Sequence, residues 1–180
     1  RKIVHAESQA RVDFALHGTI DQAEGASRIP EMIEAGVAAF NLSTFGTHPT
    51  RFPRIPPQML HDACAAIAPY GLVAGVHNEN HEAVEAHMAK VKAAGITDWR
   101  AHGLSRPPIT ETLAMAEIYE IGASTGCDAH VVHCSVGRGY ELAARHRAAG
   151  HMPTAEACTH YLTLDGETAR ARPRGAAQVN

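Results

Sequence analysis

Aromatic residues are scarce, at 5% of the 180 positions, and cysteine is limited to Cys64, Cys127, Cys134 and Cys158. Those four show neither CxxC spacing nor the density of a disulfide scaffold, so they read as reduced, mostly buried thiols. No apolar run approaches the roughly 18 residues of a membrane span. The opening RKIVHAESQARVDFALHG has no apolar stretch followed by a small-residue cleavage site. A cytoplasmic protein without membrane contact is expected. An excess of one charge is also missing, since 16 Lys+Arg against 19 Asp+Glu leave a formal charge of −3. The densest basic cluster is Arg170, Arg172 and Arg174, too small for the concentrated basic face that nucleic acid requires. GxGxxG, Walker and GxSxG patterns are absent, and the VGRG turn at 136–139 is a poor nucleotide signal without them. With 45% apolar and 19% charged residues the chain is globular rather than disordered.

What the chain does have is a recurring punctuation. Helical stretches stop at Gly36, Gly71, Gly95, Gly126 and Gly150, where a left-handed glycine would end each one. After four of these come short apolar runs, VAAFNL, LVAGVH, CDAHVVHC and HMPTAEAC, each expected to be a strand. The more polar ITDWRAHGLSRPP after Gly95 reads as a loop, and RVDFALHG at 11–18 adds one strand at the start. The intervening helices are Ala-rich, two of them opening on proline, and GRGYELAARHRAAG carries its basic residues late, as the helix dipole favours.

This β-α-β-α order implies a parallel sheet with right-handed crossovers. Two architectures fit. An open five-stranded sheet of the flavodoxin type suits the length, whereas a closed eight-stranded barrel takes about 250 residues. The chain also begins without a strand-loop-helix unit of its own and stops at GAAQVN, which points to a piece of something larger.

In either architecture ligands bind at the carboxyl ends of the strands. The apolar runs end in His17, Asn41, His77, His133 and His160, with Glu156 inside the last run. Four of the thirteen histidines thus converge on one rim, the arrangement that a transition metal such as catalytic zinc requires. Taken singly, a strand-end histidine is more often a packing residue. His5, His61, His81, His87, His146 and His151 read as solvated, and His130, three residues from His133, is expected on the opposite face beneath the helices. Cys134 as a nucleophile ranks low, since a cysteine in a buried strand is usually inert.

The segments VDFALHG, GVHNENHE, GLSRPP, HVVHCS and TAEACTHYL, in this order and spacing, resemble the cyclic amidohydrolases, the family of dihydropyrimidinase (hydantoinase), allantoinase and dihydroorotase. The resemblance implies an α/β fold, a metal-dependent (β/α)8 TIM barrel. Residues 1–180 would form the central part of that single domain, about strands 3 to 7. It implies one or two divalent metals, Zn2+ among them, with His77 and His133 as metal ligands. Asn41 falls where the family has a carboxylated lysine that bridges both metals. A neutral amide cannot replace that anion, which would leave a single-metal site or none. Glu156, His160 and His17 would support the site, Asn180 and Phe45 would contact substrate, and Phe52 is a further candidate in the same loop as Phe45. The general-base aspartate would lie outside the chain.

The implied reaction is hydrolysis of a cyclic amide C–N bond of the hydantoin, dihydropyrimidine, allantoin or dihydroorotate type, in a homo-oligomer. The alternative is a non-catalytic homologue with a decayed metal site, kept as a scaffold or binding protein.

Overall fold

The computed structural model describes residues 2–48 and 52–164. Five parallel strands, β1 (His17–Gly18), β2 (Ala39–Ser43), β3 (Val73–His77), β4 (Asp128–Val131) and β5 (Thr154–Ala155), form one sheet in the spatial order β1-β2-β3-β4-β5. The helices are α1 (Lys2–Gln9), α2 (Ile29–Glu34), α3 (Pro57–Ile67), α4 (His81–Ala93), α5 (Arg100–Ser105), α6 (Pro108–Thr125) and α7 (Gly137–Ala148). The five-stranded flavodoxin-type sheet is overturned by this order. A doubly wound sheet reverses direction at a switch point, whereas here every strand adds on the same side, which is the winding of a barrel wall. The fold is α/β, a stretch of parallel barrel wall. Among the described residues no helix is long and apolar enough to cross a membrane.

Strand periodicity sorts the side chains onto two faces. Phe40 and Leu42, Ala74 and Val76, and Ala129 and Val131 point toward the helices and join Leu60, Cys64 and Ile67 of α3 and Met115, Ile118 and Tyr119 of α6 in one buried core. The packing is close: a Cβ on Gly122 would lie 2.9 Å from the Cβ of Ala129 and 3.0 Å from the carbonyl oxygen of Cys127. The alternate residues Asn41, Ser43, Gly75, His77 and His130 therefore face inward, away from the helices. Register places Asn41, Gly75, His130 and Thr154 on one level, and Ser43 with His77 two residues nearer the carboxyl ends.

All five glycine stops have positive φ, between 64° and 93°. At Gly71 and Gly126 this left-handed residue is the C-cap itself, a conformation that a Cβ would strain. Prolines sit in the first turns of α3 and α6, and Arg145, His146 and Arg147 in the last turn of α7, as the sequence implies.

Residues 2–9 form a helix that nothing in the sequence signalled, and three expectations change. The strand expected over 11–18 shrinks to His17–Gly18, because β2 runs alongside only from Leu16, whose carbonyl accepts Ala38 N–H at 3.0 Å. The polar run after Gly95 contains α5 rather than only loop. His130 does not pack beneath the helices: its ring sits on the inner face, with Nδ1 2.8 Å from Thr154 Oγ1 and Nε2 3.6 Å from Glu156. Counting three residues to His133 misleads because β4 ends at Val131 and His133 has φ 45°, which breaks the two-residue alternation.

Candidate active site

The mouth of the sheet holds a cavity of about 550 Å3, lined among others by His77, Glu79, His102, Arg106, Glu111, His133 and Ser135. His77 ends β3, and His133 stands just beyond β4, turned by its left-handed backbone. Nδ1 of His77 and Nε2 of His133 lie 2.7 Å apart, with ring centroids 4.6 Å apart and planes at 70°. Nε2 of His77 faces Glu79 Oε2 at 3.1 Å, and the other oxygen of Glu79 pairs with Arg106 Nε at 2.6 Å. Arg106 in turn lies over the ring of Phe45, 5.5 Å from its centroid.

The polarity of this chain follows from the inventory of donors. Arginine only donates and a carboxylate only accepts, so Glu79 takes the N–H of His77 Nε2. A neutral His77 then presents Nδ1 as acceptor, and His133 supplies its Nε2–H. Burial opposes the charge on Glu79, but the hydrogen bond from His77 and the positive charge of Arg106 outweigh it and hold the carboxyl below its ordinary range. Burial pushes the His133 ring down, and burial, with Arg106 next, does the same to His102. Both rings are thereby biased to the neutral form. Burial pushes the Cys134 thiol up to about 11, which leaves it a poor nucleophile.

Two further supports escaped the sequence reading. Thr44 Oγ1 donates to the carbonyls of His77 at 2.9 Å and Glu79 at 2.8 Å, fixing the path of the chain as it leaves β3. Glu111 accepts both the N–H of Ser135 at 2.8 Å and its hydroxyl at 2.6 Å, just after His133. The HNEN, GLSRPP and HVVHCS segments contain Glu79, Arg106 and Ser135, whereas Thr44 and Glu111 lie outside them.

The other anticipated residues are dispersed. His17 is exposed in β1, level with Ala39 at the start of β2. Asn41 faces inward but is level with Gly75, two residues below His77. Phe45 is buried against His81 and Arg106 rather than among the cavity-lining residues, and Phe52 pairs through its backbone with His48. Glu156 is exposed near His130. His160 stacks edge-on with Tyr161, a cavity-lining residue, and its Nε2 is buried with no hydrogen-bond partner among the described residues. Asn180 lies outside the described residues. Of the histidines expected to be solvated, His146 is largely covered, with its ring 5.6 Å from Tyr119, and His81 has a buried Nδ1.

Two imidazole nitrogens aimed at one point suit one divalent cation. A tetrahedral zinc with bonds near 2.0–2.1 Å holds two such nitrogens about 3.3 Å apart, and a carboxylate on the far nitrogen of one ring is the usual outer support. The pair, 2.7 Å apart, would open by about 0.6 Å to hold such an ion, and Glu79 already stands in the outer position. The bridging anion does not fit: Asn41 is neutral, short and one pleat too low, and the described residues contain no group of three or more His, Cys, Asp or Glu that would hold a metal ion.

The chain is 33% identical over 168 residues to an allantoinase of Rubrobacter xylanophilus, covering 93% of this chain and 37% of that protein. It is 32% identical over 165 residues to a D-phenylhydantoinase of Escherichia coli, covering 89% of this chain and 34% of that one. It thus spans little more than a third of the length of these relatives. Among solved structures, L-hydantoinase (dihydropyrimidinase) from Arthrobacter aurescens superposes with a TM-score of 0.89 at 28% identity, over 94% of this chain and 38% of that chain. No protein-family profile matches the chain. The strand order of a barrel wall, the paired histidines at its mouth and these likenesses agree: the chain belongs to the cyclic amidohydrolase family.

Proposed function

We propose that residues 1–180 are the central part of a single barrel domain of a metal-dependent hydrolase that opens a cyclic amide C–N bond, in a substrate of the hydantoin, dihydropyrimidine, allantoin or dihydroorotate type. The observation that carries this reading is the apposition of His77 Nδ1 and His133 Nε2 at 2.7 Å on a cavity of about 550 Å3. That volume falls within the roughly 300–1,000 Å3 typical of small-molecule sites.

His77 and His133 would hold one divalent cation, Zn2+ or a similar ion. Bound there, such an ion supplies polarisation of the ring carbonyl and acidification of water. The chain's own residues do the rest of the visible work. Glu79 orients His77, Arg106 fixes Glu79, and the walls around His102 and Ser135 partly exclude bulk water, which strengthens every charge interaction within. The proton carrier is assigned to a residue outside this chain, and His17, Glu156 and His160 to supporting roles. Asn180 remains assigned to substrate contact, whereas Phe45, buried with the Arg106 guanidinium over its ring and outside the cavity lining, is corrected to a support for Arg106. The free thiols Cys64, Cys127, Cys134 and Cys158 fit a reducing, cytoplasmic setting, and a homo-oligomer is the proposed assembly.

A second reading is favoured by Asn41: a homologue that has lost the bridging anion and serves as a scaffold or binding protein. Metal content and turnover separate the two. The enzymatic reading expects purified full-length protein to carry zinc and to open at least one of hydantoin, dihydrouracil, dihydroorotate or allantoin. Less than a tenth of a metal equivalent and no turnover after zinc addition would leave the scaffold reading standing.

A further inference from the structure

The GLSRPP segment and the residues after it link α5 to α6 and touch both histidine-bearing loops. Arg106 pairs with Glu79 at 2.6 Å, and Glu79 holds Nε2 of His77. The carbonyl of Thr110 accepts the N–H of Asn80 at 2.8 Å, on the same loop. Glu111 reaches the other loop, accepting the backbone N–H of Ser135 at 2.8 Å and its hydroxyl at 2.6 Å. Ser135 follows His133 by two residues, and His133 is the one non-glycine residue with positive φ among those described. A left-handed histidine persists only where its surroundings over-determine it.

We infer that the 106–111 link is a strap that positions both histidines, Arg106 setting the ring of His77 through Glu79 and Glu111 holding the turn that presents His133 through Ser135. The inference rests on the reading of His77 and His133 as one binding pair. Arg106 and Glu111 are positioning residues and need not touch substrate. The fork of Arg106 is itself fixed, since Nη1 lies 3.0 Å from Ser105 Oγ and the guanidinium rests on Phe45. The strap is anchored in rigid elements at both ends, as Arg106 directly follows α5 and Thr110 and Glu111 lie in the first turn of α6.

The test compares the full chain, uniformly labelled with 15N, as wild type, Arg106→Ala, Glu111→Ala and Glu111→Gln. Arg138→Ala is the control, because among the described residues its guanidinium pairs with Glu141 along α7. Long-range nitrogen–proton spectra should show His77 as a single Nε2–H tautomer in wild type and as a mixture in Arg106→Ala. Amide exchange at Ser135 should quicken at least about 10-fold in Glu111→Ala and return to near wild type in Glu111→Gln, whose amide still accepts from the N–H and donates to the hydroxyl. Zn2+ affinity, read by competition with a chelator, should fall roughly 10–100-fold in both alanine variants and stay unchanged in Arg138→Ala. If an alanine variant does not fold, Arg106→Lys and Ser135→Ala carry the same measurements. An unaltered His77 tautomer in folded Arg106→Ala, or unaltered Ser135 exchange in folded Glu111→Ala, overturns the strap. A wild type that takes up no zinc defeats the metal reading, and the tautomer and exchange data then decide the strap alone.

Discussion

Nδ1 of His77 and Nε2 of His133 face each other at 2.7 Å although 56 residues separate them in the chain. Two adjacent parallel strands, β3 and β4, bring them together, and the left-handed backbone of His133 completes the approach. Removing either ring leaves a single imidazole. His77→Ala and His133→Ala should each weaken Zn2+ binding by more than the roughly 10–100-fold that loss of an outer partner costs. Arg138→Ala, whose guanidinium pairs with Glu141 along α7, should leave affinity unchanged; chelator competition reads all three.

Asn41 lies two residues below the level of His77, about 6.6 Å at 3.3 Å per residue. A lysine there has a flexible four-carbon stem that spans such a step. In bicarbonate buffer Asn41→Lys should raise zinc uptake toward two equivalents per chain. Unchanged uptake, measured by elemental analysis, would remove the argument that this single position limits the site.

Glycine substitutions should divide by what surrounds them. Gly122→Ala pushes a methyl against Ala129 and the Cys127 carbonyl, and should destabilise by about 1–3 kcal/mol despite its helix propensity. Gly103→Ala, in α5 with nothing within 4 Å of the new Cβ, should stabilise by up to about 1 kcal/mol. Urea unfolding with unchanged m-values measures both.

Glu117 of α6 supplies the pH test. Burial, and then the nearby charge of Glu82, raise its pKa, with Arg54 opposing. A carboxyl raised on folding prefers to be protonated in the folded state. Its contribution is therefore fully present below the unfolded value and is lost as pH rises through the folded one. Glu117→Gln should raise Tm at pH 7, and the advantage should vanish below the ordinary glutamate pKa. A gain that persists at low pH would assign the effect to packing instead.

The elements were legible where chain-local chemistry defines them. The glycine stops at Gly36, Gly71, Gly95, Gly126 and Gly150 and the first-turn prolines Pro57 and Pro108 appear as read, because a left-handed C-cap and a fixed φ need no distant partner. The pair His77 and His133 was legible too, as polar residues closing apolar runs. Arg106 and Glu111 were not. Arg106 sits in GLSRPP, which carried part of the resemblance but gave this residue no role, and the partners Glu79 and Ser135 are 27 and 24 residues away.

By itself, then, the sequence determined the β-α alternation, the parallel sheet and the ligand candidates, since periodicity and capping act within a few residues. Periodicity left an open sheet and a barrel wall both standing, the resemblance pointed to the barrel, and the strand order bears that out, because it depends on which edge each new strand joins. Tertiary structure alone decided which strand-end residues meet: register puts Asn41 one pleat below His77, leaves His17 exposed at the start of the wall, and turns His130 inward to Thr154. Such levels are set by hydrogen-bond pairing between strands, a quantity no single segment carries.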